Sequence, residues 1–190
     1  MTDTIRLIII TVPPADVVAV IQRLREPLCR AYDAPWALTY PPHVTLRTGV
    51  RVPPAEMEGF LEAFGALVAS AHSCFIHTQP AQCSELELEG ARRPFLFLPV
   101  LKTPALLALH RRLLSFRKYR KSDRTDFTPH VTLLCGALPA DRWSALQEEV
   151  RQGPDRFGRT FAWHCDNVAL YVEDRGRWAP YHVFALPSTG

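Results

Sequence analysis

Pro42-His43-Val44-Thr45-Leu46 recurs, residue for residue, as Pro129-His130-Val131-Thr132-Leu133, and these hold the only two His-x-Thr sequences in the 190-residue chain. Both copies are extended in character, because β-branched Val and Thr follow a Pro whose ring pushes the residue before it out of the helical region. Strand side chains alternate between faces. His43 and Thr45 therefore share one face while Val44 and Leu46 take the other, and His130 and Thr132 stand likewise against Val131 and Leu133. Each copy presents an imidazole and a hydroxyl on one face and anchors itself by the opposite one. A lone His-x-Thr arises by chance, but two five-residue identities do not. Two idle histidines on solvated strand faces would leave the repetition unexplained.

The surroundings of the motifs repeat as well. Residues 5–12 form a largely apolar run rich in Ile, read as a buried strand. Pro13-Pro14 ends it and opens a helix carrying Val17, Val20, Ile21 and Leu24, which Pro27 is expected to end or kink. A loop over residues 30–41 enters the first motif strand, and Gly49 with Pro53-Pro54 gives a turn before an amphipathic helix bearing Met57, Phe60, Leu61, Phe64 and Leu67. Residues 75–78 and 85–89 read as strands. The second round starts with an apolar strand over residues 94–100. Thr103-Pro104 looks like an N-cap with Pro at the first helical position, and the helix runs on through Leu106, Leu109, Leu113 and Leu114. A polar loop then enters the second motif strand. Gly136 and Pro139 repeat the turn, a helix follows with Trp143, Leu146 and Val150, and closing strands lie near residues 161–172 and 181–186. The expected architecture is α+β: one bilobal domain, duplicated as approximate halves 1–92 and 93–190, with antiparallel sheets lining a central groove and helices outside.

Composition narrows the function classes. A 47% apolar and 22% charged content is that of an ordinary globular protein, and a net charge of +3 permits an anionic ligand without implying a nucleic-acid coat. The five cysteines, Cys29, Cys74, Cys83, Cys135 and Cys165, contain no C-x-x-C pair, which argues for a reducing cytoplasm over a disulfide framework. No apolar stretch reaches membrane-spanning length. Nothing in the sequence asks for more than a monomer.

Two His-x-Thr strands on facing walls suit an anionic phosphodiester. One neutral imidazole can take a proton from the attacking oxygen while the other, protonated, gives one to the leaving alkoxide. The hydroxyls of Thr45 and Thr132 are placed to hydrogen-bond the non-bridging oxygens. The imidazoles supply the proton transfers, so neither a metal nor another cofactor is called for. His72, His77, His110, His164 and His182 are scattered without metal-ligand spacing, and neither a G-x-S-x-G elbow nor a Gly-rich phosphate loop is present.

With its paired P-H-V-T-L segments in a duplicated chain of this length, the sequence resembles the 2H phosphoesterase superfamily. It is most similar to the bacterial branch named for RNA 2′-5′ ligase and RNA 2′,3′-cyclic phosphodiesterase activity. The resemblance covers the whole chain in element order, and residue identity is strong around the motifs. It implies a bilobal fold and metal-independent hydrolysis of 2′,3′-cyclic phosphates on RNA ends or small cyclic nucleotides. His43 and His130 would be acid and base, in an order the residues leave open, with Thr45 and Thr132 on the phosphate. Ligation or cleavage of 2′-5′ bonds by the same groups, or a binding module without turnover, are the alternatives.

Further residues are candidates on the substrate side. Tyr40 and Phe127 each stand three residues before a motif histidine, as a stacking platform for a base or as packing for the loop. Arg47 continues the His43–Thr45 face by alternation, as a phosphate clamp or as a strand-end charge in solvent. Arg111, Arg112, Arg117, Lys118, Arg120, Lys121 and Arg124 form the densest basic stretch, an RNA-backbone contact or a solvated helix end. Arg124 is the member nearest the motif.

Overall fold

The computed structural model describes residues 4–88, 90–119, 127–174 and 176–188. In chain order the elements are β1 (Ile5–Thr11), α1 (Ala15–Ala31), β2 (Val44–Val52), α2 (Met57–Ala69), β3 (Cys74–His77), β4 (Gln82–Leu88), β5 (Ala91–Pro99), α3 (Pro104–Ser115), β6 (His130–Cys135), α4 (Ala140–Gln152), α5 (Pro154–Phe157), β7 (Ala162–Cys165), β8 (Asn167–Asp174) and β9 (Arg177–Ala185), with short 3-10 turns at Pro35–Thr39 and Pro54–Glu56. All pairings are antiparallel. One sheet runs β2-β1-β8-β9, another β4-β5-β6, and β3 pairs with β7 as a ribbon.

The motif strands β2 and β6 are each an edge of their sheet, and the two edges lie against one another. Behind β2 packs α3, and behind β6 packs α1. The sequence halves are therefore not the lobes: each motif strand is backed by the helix of the opposite half. The first sheet joins β1 and β2 to β8 and β9 from the far end of the chain, while β4 crosses over to complete the second. Val44, Leu46, Val131 and Leu133 point to the helical side and are 0–1% exposed within one continuous core. The outer layer closes with α2 on β9, where a Cβ at Gly65 would meet the Phe184 ring at 3.1 Å.

Both motif strands bulge at the same repeat position. Ile10 opposes Thr45 and Ile9 opposes Arg47, so one step on β1 spans two on β2. Likewise Phe97 opposes Thr132 and Leu96 opposes Leu134. The extra residues are Leu46 and Leu133, and each bulge carbonyl is satisfied by a side chain of the opposing helix. His110 of α3 donates from Nδ1 to the Leu46 carbonyl at 2.8 Å, and the Cys29 thiol of α1 donates to that of Leu133 at 3.4 Å.

The bulge corrects the expected placement of Arg47. Alternation fails across the extra residue, so Arg47 turns into the interior, where it is 5% exposed. Its Nη1 donates to the carbonyls of Leu113 and Phe116, each at 2.7 Å, holding the C-terminal end of α3. Gly49, expected in a turn, lies instead inside β2 with φ of 72°, where a second register shift falls. Pro27 does not end α1, because Leu28 and Cys29 beyond it bury their side chains in the core. The expected strand over residues 161–172 breaks at Asp166 into β7 and β8, which belong to different sheets. Asn167 makes the break by clasping the end of β1: its Oδ1 accepts from the Val12 N–H (3.1 Å) and its Nδ2 donates to the Val12 carbonyl (3.0 Å).

Candidate active site

His43 sits at the entrance to β2 and His130 at the start of β6, and both are half-buried on the face away from the helices. Their settings match. His43 Nδ1 lies 2.9 Å from the Pro41 carbonyl and His130 Nδ1 lies 2.7 Å from the Thr128 carbonyl, two residues upstream in each case. A carbonyl only accepts, so each Nδ1 carries the proton and each ring offers Nε2 for chemistry. Because the orienting partner is a neutral carbonyl rather than a carboxylate, it adds no negative charge to hold the imidazolium. Burial accordingly dominates. It draws His43 down to about 4, opposed by the Pro41 hydrogen bond and reinforced by the charges of Arg25 and His130. Burial also lowers His130 below its ordinary value, with the Thr128 hydrogen bond opposing.

The hydroxyl-bearing residues Thr45 and Thr132 share the faces of their histidines and are half-buried. Beside His130 the second wall is aromatic. Phe95 and Phe97 stack on each other at 4.6 Å between centroids, and the His130 ring meets both edge-on, at 5.0 and 5.6 Å. The first wall continues from His43 through Ile8, Ile10, Ala169, Tyr171 and Trp178, a small apolar cluster separate from the main core.

Tyr40 is 7% exposed with its ring 5.2 Å from His43 and stacked at 6.3 Å on Trp178. A cavity of about 460 Å³ opens at this place, between Tyr40, Pro41, Gln22, Arg25, Tyr171 and Trp178. Phe127, its counterpart in the repeat, lies flat on His110 at 3.8 Å and 9°. Tyr40 is thus brought against a motif histidine, while Phe127 covers a structural one. Burial, and then Arg47, lower His110, leaving it a neutral donor to its carbonyl. Arg124 lies outside the described residues, as do Arg120 and Lys121. In the described part of that basic stretch, Arg111, Arg112, Arg117 and Lys118 are exposed, and Lys118 pairs with Glu56 at 2.9 Å.

Arg25 is a residue that sequence reasoning missed. It is 2% exposed on α1, and it donates to the carbonyl of Tyr40 and, from Nε at 2.7 Å, to Gln22 Oε1. A buried cation with an amide for a partner is costly, and burial brings its pKa down to about 10. Its grip on Tyr40 steadies the turn whose next carbonyl orients His43. In the sequence it stands among Arg23, Leu24 and Glu26 and reads as part of a charged turn, and only its helical spacing from Ile21, Leu28 and Cys29 puts it on the buried stripe.

Comparison with known proteins follows the same lines. The profile of the 2′-5′ RNA ligase superfamily matches residues 13–177. The chain belongs to the 2′-5′ RNA ligase superfamily. Members of this superfamily are 2H phosphoesterases. No curated protein matches the chain in sequence. Among solved structures, Escherichia coli LigT complexed with 3′-AMP aligns over 97% of this chain and 99% of its own, with TM-score 0.57 and 18% identity. TT0787 of Thermus thermophilus aligns over 95% and 97%, with TM-score 0.61 and 19% identity. Kluyveromyces marxianus Usb1 aligns over 95% and 97%, with TM-score 0.53 and 15% identity. At these identities the likeness is one of fold, and it extends across both lobes. None of the described helices is long and apolar enough to cross a membrane.

Proposed function

We propose that the protein is a metal-independent phosphodiesterase that hydrolyses 2′,3′-cyclic phosphates on RNA ends or small nucleotides. The observation that carries this reading is the matched pair of imidazoles on abutting motif strands, each with Nδ1 turned onto a backbone carbonyl and Nε2 left for proton transfer. LigT of E. coli, a similar fold, has been seen with 3′-AMP bound, which supports a nucleotide ligand.

The depressed pKa of His43 suits it to be the base, since it is neutral at any pH above about 4. Its Nε2 takes a proton from water as the water oxygen bonds to phosphorus. The bond from phosphorus to one ribose oxygen breaks, and that oxygen takes the proton from Nε2 of a protonated His130. Thr45 and Thr132 donate to the non-bridging oxygens as charge builds on them. The cycle ends with His43 charged and His130 neutral, a state that exchange with solvent resets. Tyr40 and the cavity beside it seat the nucleoside.

The test is incubation of the purified protein with a 2′,3′-cyclic nucleotide in excess EDTA. Turnover that survives chelation and is lost in both His43→Ala and His130→Ala supports the reading. Nucleotide binding with no product in the unmodified protein overturns it in favour of a binding module.

A further inference from the structure

The register of the two sheets sets two arginines in equivalent places. Ile10 opposes Thr45 and Phe97 opposes Thr132. Four residues back along each partner strand stand Arg6 and Arg93. An even step keeps the side chain on the same face, so both lie on the cleft side, beyond Ile8 in one lobe and Phe95 in the other.

Their surroundings differ. Arg6 is neutralised by Glu173 at 2.5 Å. Arg93 faces Leu86 across the sheet, and its Nε is buried with no hydrogen-bond partner among the described residues. The acidic residues of β4 do not serve it, because Glu85 and Glu87 lie on the opposite face, where Glu85 pairs with Arg92 at 3.6 Å. An orphaned buried donor of this kind is costly unless a ligand or water completes it. The Arg93 charge reaches Cys135, where it opposes the effect of burial on the thiol. Cys135 opposes Phe95, two strand residues from the level of Thr132. Arg93 itself stands four strand residues from that level, a backbone separation of about 13 Å, or about two phosphate spacings of an extended strand.

We propose that Arg93 binds a second, non-reacting phosphate of the substrate, which makes it the residue that distinguishes an RNA end from a mononucleotide. The inference rests on the phosphodiesterase reading for the position of the reacting phosphate, and its test separates the two. Binding of a short oligoribonucleotide ending in a 3′-phosphate is compared with binding of a nucleoside 3′-monophosphate, by fluorescence or calorimetry over a salt series. Arg93→Ala should weaken the oligonucleotide about tenfold more than the mononucleotide and reduce its salt slope by about 0.7, the value for one phosphate contact on a single strand. Arg93→Gln, which keeps length and polarity, should lose the same slope, and Arg93→Lys should retain most of it. Arg92→Ala, the same charge change on the other face, should leave both affinities alone. Equal losses for the two ligands, or equal behaviour of Arg92→Ala and Arg93→Ala, would overturn the proposal. Arg93-dependent oligonucleotide binding without turnover of a cyclic phosphate would sustain the subsite and sink the hydrolase.

Discussion

Replacing Arg47 with Met tests whether this guanidinium belongs to the scaffold or to the substrate. Met keeps much of the aliphatic stem and removes the charge. It deletes the hydrogen bonds to the carbonyls of Leu113 and Phe116, both at 2.7 Å, and leaves those carbonyls at the end of α3 without this donor. Hydrogen bonds to a charged group contribute about 1.5–3 kcal/mol each. Two such bonds set an upper range of about 3–6 kcal/mol, from which the relief of burying an ion is subtracted. A net loss of about 2–4 kcal/mol is expected. In urea, with a slope of about 2 kcal/mol/M, the midpoint should fall by roughly 1–2 M at unchanged slope. Activity per folded molecule should survive at low temperature, since Arg47 is buried and its Nη1 is committed to the end of α3. A variant as stable as the parent, with a much higher KM for an anionic substrate, would refute the reasoning and return Arg47 to the ligand.

Other outcomes follow from the same geometry. His43→Ala and His130→Ala should each lower kcat by about 10²–10⁴, with the double variant little worse than either, because the pair acts as a unit; additive losses would contradict a shared proton path. With His43 at about 4 and His130 below its ordinary 6.5, the productive form exists in a mildly acidic window. kcat/KM should therefore fall at least about tenfold between pH 6.5 and 8, and an optimum on the alkaline side would count against His130 as acid. Stability carries the matching sign. The folded state holds His43 below its unfolded pKa, so stabilisation is complete above about pH 6.5 and is lost as pH falls through about 4; in urea titrations His43→Gln should flatten that acid limb. Gly49→Ala, at φ of 72°, should destabilise by about 1–2 kcal/mol, and a neutral result would argue against the bulge inside β2.

The two motif strands, the α+β class and the duplicated element order were legible because they are written in local signals: β-branched runs, N-caps and helical spacing. Thr103 illustrates this, accepting from the Leu106 N–H at 3.2 Å where an N-cap was expected. What escaped the sequence is non-local. No local pattern says that α1 will back β6 instead of the strand that follows it, or that β8 will join β1. Arg47 was misplaced for a related reason: alternation assumes an unbroken ladder, and the bulge beside it is visible only from the partner strand. Phe95 and Phe97 were hidden in a run apolar on both faces, which conceals the side that turns to the cleft. Arg93 had a faint signal, since Arg6 and Arg93 each stand four residues before the residue that meets a motif Thr, but the register was needed to read it.

The exchange of helices between halves has a consequence for how this molecule can move and come apart. A clam-like enzyme with two self-sufficient shells can swing them on a linker and can lose one while keeping the other. Here α3 braces the strand of His43 and α1 braces the strand of His130, so neither shell is complete without a rod from its neighbour. Melting should be a single event that disarms both imidazoles together, and polypeptides cut near residue 92 should recover activity only as a reassembled pair.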